Sequence, residues 1–147
     1  MLDLARQKVV NRRLPVSFEW ADAHELHYRD EDFDAVTCGF GLRNFEDRDQ
    51  ALAEMARVTR TGGRVVILEL TPPRHALTRA YMDEVIPRLG QILAGAREAY
   101  TYLPESVQEF PDAEQVGAMM HRAGLRQVTY RLLNFGTVAL HWATKPA

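Results

Sequence analysis

The hydrophobic and polar positions of the chain fall into two alternating patterns. The runs FDAVTCGF (33–40) and RVVILEL (64–70) are short and almost continuously apolar, as is typical of strands buried on both faces of a parallel sheet. The segment between them, DRDQALAEMARVTR (47–60), predicts a helix. Strand, helix and strand in this order predict a right-handed crossover in an α/β fold. One face of the helix carries Ala51, Leu52, Met55, Val58 and Thr59.

The ends of these elements carry residues typical of helix and strand boundaries. Acidic residues fill the first turn of the 47–60 helix, Arg57 and Arg60 lie in its last turn, and Gly62 is predicted to stop it in a left-handed conformation. Pro72 and Pro73 end the following strand, because proline cannot donate to the ladder.

Weaker patterns predict the remaining elements. VSFEW (16–20) predicts a short strand, and ADAHELHYRDED (21–32) predicts a polar loop. LRQVTYRLLN (125–134) and TVALHWATK (137–145) predict an antiparallel strand pair joined at Phe135 and Gly136. The other predicted helices run from Met1 to Val10, from Ala76 to Gly95, and from Asp112 to Ala123 with Gly124 as a stop. The prediction is a parallel α/β core that finishes in an antiparallel hairpin.

Composition and charge exclude several classes of function. The 147 residues are 46% hydrophobic and 26% charged, as expected for one globular domain. The net charge of −2 and the scattered basic residues disfavour nucleic acid as a partner. A single cysteine, Cys38, excludes an internal disulfide and a Cys-rich zinc site and indicates a reducing, cytoplasmic compartment. The five His residues form no H-x-x-x-H pair, so no metal site is predicted.

The chain has no sequence signal for insertion into a membrane. Its first ten residues lack the apolar core of a signal peptide, and no stretch approaches the roughly 18 to 20 apolar residues of a membrane span. Contact with a membrane is therefore expected to be peripheral at most.

The segment GFGLRN (39–44) is close to the dinucleotide-binding pattern G-x-G-x-x-G but lacks its third glycine. Glu69 ends the next strand, where such a domain holds a ribose, but it lies 25 residues beyond Asn44 instead of about 20. Glu46, Asp47 and Asp49 stand at the start of the following helix, where they would repel a diphosphate. A nicotinamide-dependent oxidoreductase is therefore a disfavoured alternative.

The order of motifs resembles the class I methyltransferases that use S-adenosylmethionine, and among them the quinone C-methyltransferases of menaquinone and ubiquinone biosynthesis. The resemblance runs nearly end to end. It rests on ADAHEL, FDAVTCGFGLRNFEDRDQAL, EMARVTRTGGRVVILEL, AYTYLPESVQEFP and MMHRAGLRQVTYRLLNFGTVALH. It implies methyl transfer from S-adenosylmethionine to a ring carbon of a lipid-soluble polyprenyl quinol, at the cytoplasm or the inner face of its membrane.

The resemblance also implies which residues bind the cofactor. Asp22 matches an acid that accepts the hydrogen bond of the adenine amine, and Ala23 matches a small residue that leaves room for the ring. Gly39 matches a position beside the cofactor where the family often has serine, so only its backbone can contribute. The alternative for Asp22 is an ordinary loop residue.

Arg43 and Asn44 follow a strand at its carboxyl end, where open α/β sheets bind ligands. Beside a quinol, Arg43 would stabilise the developing phenolate, while Asn44 would orient a ring oxygen. Arginine is a poor proton acceptor because its pKa exceeds about 12. The alternative is structural: Arg43 pairs with Glu46 or Asp47, and Asn44 caps the helix.

Aromatic residues later in the chain are candidates for the quinone pocket. Tyr100, Tyr102 and Phe110 are placed to wall an apolar cavity, although such residues also pack in cores. His141 is a further candidate for substrate contact, with a structural role in its strand as the alternative.

The chain departs from the family pattern at its start. The family begins with a strand, a glycine-rich turn, a helix and a second strand, and this sequence starts after them. Because the family's sheet order is 3-2-1-4-5-7-6, strands 1 and 2 would be missing between VSFEW and FDAVTC, leaving two exposed edges. The resemblance thus implies one partial methyltransferase domain over 1–147, with little cofactor affinity by itself. A non-catalytic module that pairs its edges with a second copy, as a homodimer, or with a methyltransferase is the alternative function.

Overall fold

The computed structural model describes residues 15–73, 107 and 109–147. The described strands form one sheet in the order β1-β2-β4-β3, in which β1 runs parallel to β2 and the other neighbours are antiparallel. The predicted helices at 1–10 and 76–95 lie outside the described residues. The elements are β1 (Phe33–Gly39), α1 (Arg48–Val58), β2 (Thr59–Leu70), α2 (Ala113–Arg122), β3 (Arg126–Leu133) and β4 (Val138–Thr144), with 3-10 turns at Leu42–Asn44 and Asn134–Gly136.

The strand–helix–strand unit is confirmed, but α1 ends earlier than predicted. Asp47 caps it by accepting the Gln50 N–H at 2.9 Å. At the other end Thr59 turns into extended backbone, with φ −74° and ψ 133°, and its hydroxyl donates to the Met55 carbonyl at 2.6 Å. Gly62 has the predicted left-handed φ of +74°, but it lies within β2 and does not stop the helix. The β-branched Thr59 and its pairing with Phe33 favour the strand instead.

Strand β1 is less buried than predicted. Val36 and Cys38 pack against the core, whereas Ala35 and Thr37 on the other face are exposed. Among the described strands, β1 pairs with β2 alone and forms the outer strand of the sheet. The apolar run therefore indicated a strand correctly but overstated its burial on the second face.

The predicted strand at 16–20 is absent from the structure. These residues lie outside the strands of the described sheet, and the Trp20 side chain is 77% exposed. A strand needs a hydrogen-bonding neighbour, and no described strand lies beside this segment. Its β-like composition alone does not stabilise a ladder. The loop that follows is ordered by a bridge between Asp22 and Glu25.

The carboxyl-terminal elements match their predictions closely. Helix α2 begins with a capping box, in which the Asp112 side chain accepts the Gln115 N–H and the Gln115 side chain accepts the Asp112 N–H, and Gly124 follows the helix with φ +88°. Strands β3 and β4 form the predicted antiparallel hairpin. Its turn, Asn134–Gly136, is entirely left-handed, with φ values of 47°, 56° and 84°.

The core lies where α1 and α2 pack on one another and on the sheet. Leu52 of α1, Met120 of α2 and Ile67 of β2 are all completely buried in one apolar cluster. Burying a side chain of this size contributes about 1.5–3 kcal/mol. The sheet order matches the 4-5-7-6 part of the order that the resemblance implied, so this core fixes how the carboxyl ends of β1 and β2 meet.

Candidate functional site

The candidate site is the turn that leaves β1 beside the carboxyl end of β2. Phe40, with φ +55°, donates its N–H to the Leu68 carbonyl at 2.8 Å, which ties the end of β1 to β2. Gly41 then lies so close to Cys38 that a Cβ would sit 3.1 Å from its Sγ. Leu42 is completely buried and anchors the 3-10 turn that presents Arg43 and Asn44.

Arg43 pairs with Glu69, the acid at the end of β2. The Glu69 carboxylate is 1% exposed, and its Oε1 lies 3.6 Å from Arg43 Nε. Its Oε2 accepts the Arg43 backbone N–H at 3.1 Å. The structural alternative stated above, a pair with Glu46 or Asp47, is therefore wrong: the turn directs the guanidinium inward to β2.

Asn44 does not cap α1, because Asp47 occupies that position. Asn44 is exposed, and its N–H donates to the Gly41 carbonyl at 3.0 Å inside the turn. Arg48, one turn further on, donates from Nη2 to the Arg43 carbonyl at 3.1 Å. Its guanidinium lies 5.4 Å above the ring of Phe110, which is itself buried. Phe110 therefore supports the turn from the core side.

The loop carrying Asp22 and Ala23 is joined to the start of α1 by His24. Asp22 Oδ1 accepts both the His24 N–H at 2.9 Å and Nδ1–H at 2.7 Å, while His24 Nε2 accepts the Asp47 N–H at 3.2 Å. These His24 bonds hold the pKa of the Asp22 carboxyl below its ordinary value. The imidazole also meets Phe45 edge-on at 5.8 Å.

His24 was not recognised as part of the site from the sequence. The available signal was the Asp-x-His spacing, since an Asp side chain often accepts a hydrogen bond from the backbone two residues on. Its ring connects two candidate segments that are 23 residues apart in the sequence.

The arrangement leaves room for a ligand at two of the predicted cofactor positions. The Asp22 side chain is 57% exposed, so Oδ2 is accessible to an amino group, and Ala23 is half-buried beside it. Gly39 is exposed, and a Cβ there would meet nothing within 4 Å. An accessible carboxylate and an open backbone position fit an adenosine cofactor.

His141 lies in the core. It is 1% exposed, its Nε2–H donates to the Ala113 carbonyl at 2.8 Å, and its ring lies 5.4 Å from that of Tyr130. Burial lowers its pKa, which favours the neutral imidazole. The structure thus brings His141 to α2, not to the Arg43 turn, and its role at a substrate stays a prediction.

Tyr100 and Tyr102 lie outside the described residues. Cys38 is half-buried under the turn, and burial raises the pKa of its thiol, which disfavours a reactive thiolate. Within residues 15–73, 107 and 109–147, no group of His, Cys, Asp and Glu is arranged to hold a metal ion, and no helix is long and apolar enough to cross a membrane.

The strand order β1-β2-β4-β3, with β1 parallel to β2 and the other neighbours antiparallel, is that of the 4-5-7-6 part of the class I methyltransferase fold. Solved structures agree: the [4+2]-cyclase SpnF superposes with a TM-score of 0.73 at 19% identity, covering 99% of this chain and 62% of that one. A Haemonchus contortus phosphoethanolamine N-methyltransferase, in complex with S-adenosyl-L-methionine, gives 0.71 at 13% identity, covering 100% and 41%. These likenesses concern the fold alone.

Within that class, residues 1–145 match the ubiE/COQ5 methyltransferase family, and the chain belongs to this family. A demethylmenaquinone methyltransferase of Deinococcus radiodurans is 50% identical over 95% of the chain. One from Thermus thermophilus is 47% identical over 99%. A ubiquinone/menaquinone biosynthesis C-methyltransferase of Saccharophagus degradans is 41% identical over 99%. The chain spans 59%, 68% and 61% of the length of these relatives, respectively.

Proposed function

We propose that this chain provides the quinol side of a methyltransferase that transfers a methyl group from S-adenosylmethionine to a ring carbon of a polyprenyl quinol. Family membership and the names of the relatives support the reaction class. The observation that carries the proposal is the Arg43–Asn44 turn at the carboxyl ends of β1 and β2.

The cofactor is proposed to bind between the Asp22 loop and the end of β1. When bound, S-adenosylmethionine supplies an electrophilic methyl group, and the electron pair of the broken sulfur–carbon bond stays on the sulfur. Asp22 Oδ2 would accept the adenine amine, while Ala23 gives the ring space. The open backbone at Gly39 admits the ligand without a side-chain clash. His24 keeps Asp22 ionised and oriented.

The quinol is proposed to lie against the Arg43 turn. A ring carbon becomes nucleophilic when the neighbouring phenol loses or shares its proton. Arg43 lowers the energy of that developing phenolate, because its cation is largely removed from water. Asn44, exposed beside it, orients the second oxygen. After bond formation the ring carbon gives up its hydrogen as a proton to water, which restores aromaticity.

The substrate is proposed to be a naphthoquinol, since the relatives at 50% and 47% identity are named for demethylmenaquinone. A benzoquinol is the competing substrate, as the name of the Saccharophagus relative includes ubiquinone. Either carries a lipid tail, so the reaction is expected at a membrane surface facing the cytoplasm.

Methyl transfer to the two quinols tests the proposal directly. The reading frame upstream of Met1 is sequenced, and the longest polypeptide containing these residues is assayed together with the 147-residue chain, using labelled S-adenosylmethionine and reduced short-tailed quinols. We expect methylation of the naphthoquinol, and a loss on the order of 100-fold in kcat for Arg43→Ala. The variant Glu46→Gln, exposed beside the turn, is the matched control. Equal turnover by Arg43→Ala would contradict the role assigned to the turn.

A non-catalytic function is the second candidate, and the β1 edge favours it. Among the described strands β1 pairs on one side alone, and unpaired strand edges recruit other strands. Light scattering separates the two candidates: a monomer that methylates a quinol argues for the enzyme. A stable dimer without cofactor binding argues for edge pairing.

A further inference from the structure

We infer that Glu69 is a positioning residue that sets the orientation of Arg43 at the quinol; the inference rests on the proposed function. Glu69 itself is 1% exposed, so it cannot touch a substrate and acts through Arg43. It ends β2, and the turn that carries Arg43 leaves β1, so the carboxylate joins the two strand ends that form the site.

Both oxygens of the carboxylate are engaged. Oε1 accepts the N–H of Leu70 at 2.8 Å and lies 3.6 Å from Arg43 Nε, while Oε2 accepts the Arg43 N–H at 3.1 Å. The one group therefore holds Arg43 by its backbone and by its guanidinium. Rotation of the Arg43 side chain away from β2 would break the ion pair and leave the Glu69 carboxylate buried without this cation.

The position of this acid in β2 argues against a role in stability alone. Val65, Ile67 and Glu69 alternate along the buried face of the strand, so the pattern calls for a third apolar side chain. Burying a carboxylate is costly, and well-packed apolar replacements of buried ion pairs are often neutral or stabilising. A paired acid at this point is explained by the need to fix a buried cation beside a reactive site.

Pairing with Glu69 also explains how the Arg43 side chain can hold its positive charge at the site while only 9% of it is exposed. An uncompensated guanidinium would move toward water, whereas the paired one stays charged in a region of low dielectric constant. There its hydrogen-bond donors act more strongly on a developing phenolate than they would in water.

The first test needs no catalysis. NMR of the 147-residue chain labelled at arginine nitrogen gives the Nε–H signal of Arg43, assigned with Arg43→Lys. In the wild type we expect hydrogen exchange of this Nε–H to be slowed by at least about tenfold relative to an exposed arginine, since the buried ion pair must open before water reaches the group. Rapid exchange in the wild type would overturn the inference without any variant.

The variants then separate orientation from folding. In Glu69→Gln the Arg43 Nε–H and backbone N–H are expected to lose their protection, whereas Glu46→Gln leaves both unchanged. In the methyl-transfer assay, Glu69→Gln is expected to lower kcat on the order of 100-fold, because a misplacement of about 1 Å has that effect. The KM for S-adenosylmethionine should stay within about twofold, and Glu69→Asp, which keeps the charge, should recover part of kcat.

The two proposals fail in different ways. A protected Arg43 in a chain that methylates no quinol would contradict the proposed function and keep the positioning by Glu69. A chain that methylates quinols with an unchanged kcat in folded Glu69→Gln would contradict the inference alone. If Glu69→Gln does not fold, the wild-type exchange and the kcat of Glu69→Asp decide: rapid exchange of the Arg43 Nε–H, or a Glu69→Asp kcat equal to that of the wild type, each refutes the inference by itself.

Discussion

The imidazole of His24 lies between two backbone segments, with Nδ1 2.7 Å from Asp22 Oδ1 and Nε2 3.2 Å from the Asp47 nitrogen. Because the Asp47 N–H can only donate, Nε2 accepts and the proton of the neutral ring must be on Nδ1. This one tautomer satisfies both neighbours. The Asp22 loop and the start of α1 are thereby held as one unit.

Replacing His24 should loosen both segments at once. In His24→Ala, the Asp47 N–H is expected to exchange at least about fivefold faster, since it loses its acceptor and such a hydrogen bond is worth about 1 kcal/mol. The Glu25 N–H, which donates to the Asp22 carbonyl, should also exchange faster because the loop loosens. Amide exchange followed by NMR measures this. His27→Ala, an exposed histidine of the same loop, is the control. Unchanged exchange at Asp47 would show that the ring does not connect the segments.

Adding a methyl group should destabilise the chain at Gly63 and leave its stability unchanged at Gly39. At Gly63 a Cβ would lie 2.7 Å from the Asp34 carbonyl oxygen and from Thr59 Cγ2, so Gly63→Ala must move backbone at the β1–β2 contact. We expect a loss of about 1–3 kcal/mol in unfolding free energy, as for other overpacked sites. Gly39→Ala, with open space around it, should unfold like the wild type.

Urea unfolding of both variants provides the comparison. Gly39→Ala has a second readout, because the proposed cofactor site includes that backbone position. A lowered affinity for S-adenosylhomocysteine with unchanged stability would support the site. Equal stability of Gly63→Ala and Gly39→Ala would refute the close approach of β1 and β2.

The sequence predicted which segments form helices and strands better than it predicted which elements lie beside them. Helix α2 and the β3–β4 hairpin followed from local signals, a capping acid, a stop glycine and alternating side chains, and these signals act within a few residues. The predictions of a strand at 16–20 and of a second buried face on β1 were wrong, because each needs a neighbouring element that the described residues do not provide.

The candidate site shows the same division. Arg43 and Asn44 were predicted as site residues because they follow a strand, which is a local feature. The partner of Arg43, Glu69, lies 26 residues away and was considered only as a ribose ligand in the disfavoured dinucleotide alternative, while the nearby Glu46 and Asp47 were considered as partners of Arg43. Distance in sequence hides an ion pair that only the parallel pairing of β1 with β2 creates.

The hairpin turn carries an exposed aromatic residue in a strained conformation. Phe135 is 89% exposed with φ +56°, a region that costs an ordinary side chain roughly 1–2 kcal/mol. Phe135→Asn should therefore raise the unfolding free energy by about 0.5–1 kcal/mol, since asparagine tolerates this region. The urea midpoint should rise at a constant m-value. A lower midpoint would mean that the phenyl ring contributes a contact that outweighs its strain.

His141 should make stability depend on pH. Its pKa is lowered by burial, so the folded chain holds this proton less tightly than the unfolded chain, where the ordinary pKa is about 6.5. Its contribution is complete above that value and is lost as the pH falls through the lower folded pKa. The unfolding free energy of the wild type should therefore decline on acidification below about pH 6.5.

In His141→Gln, whose amide can still donate to the Ala113 carbonyl, this part of the decline should vanish. Urea unfolding between pH 8 and pH 5 measures the difference, and His121→Gln, an exposed histidine on α2, should keep the wild-type slope. If His141→Gln keeps that slope as well, or if NMR titration gives His141 a raised pKa, the buried neutral imidazole is not what stabilises the contact between β4 and α2.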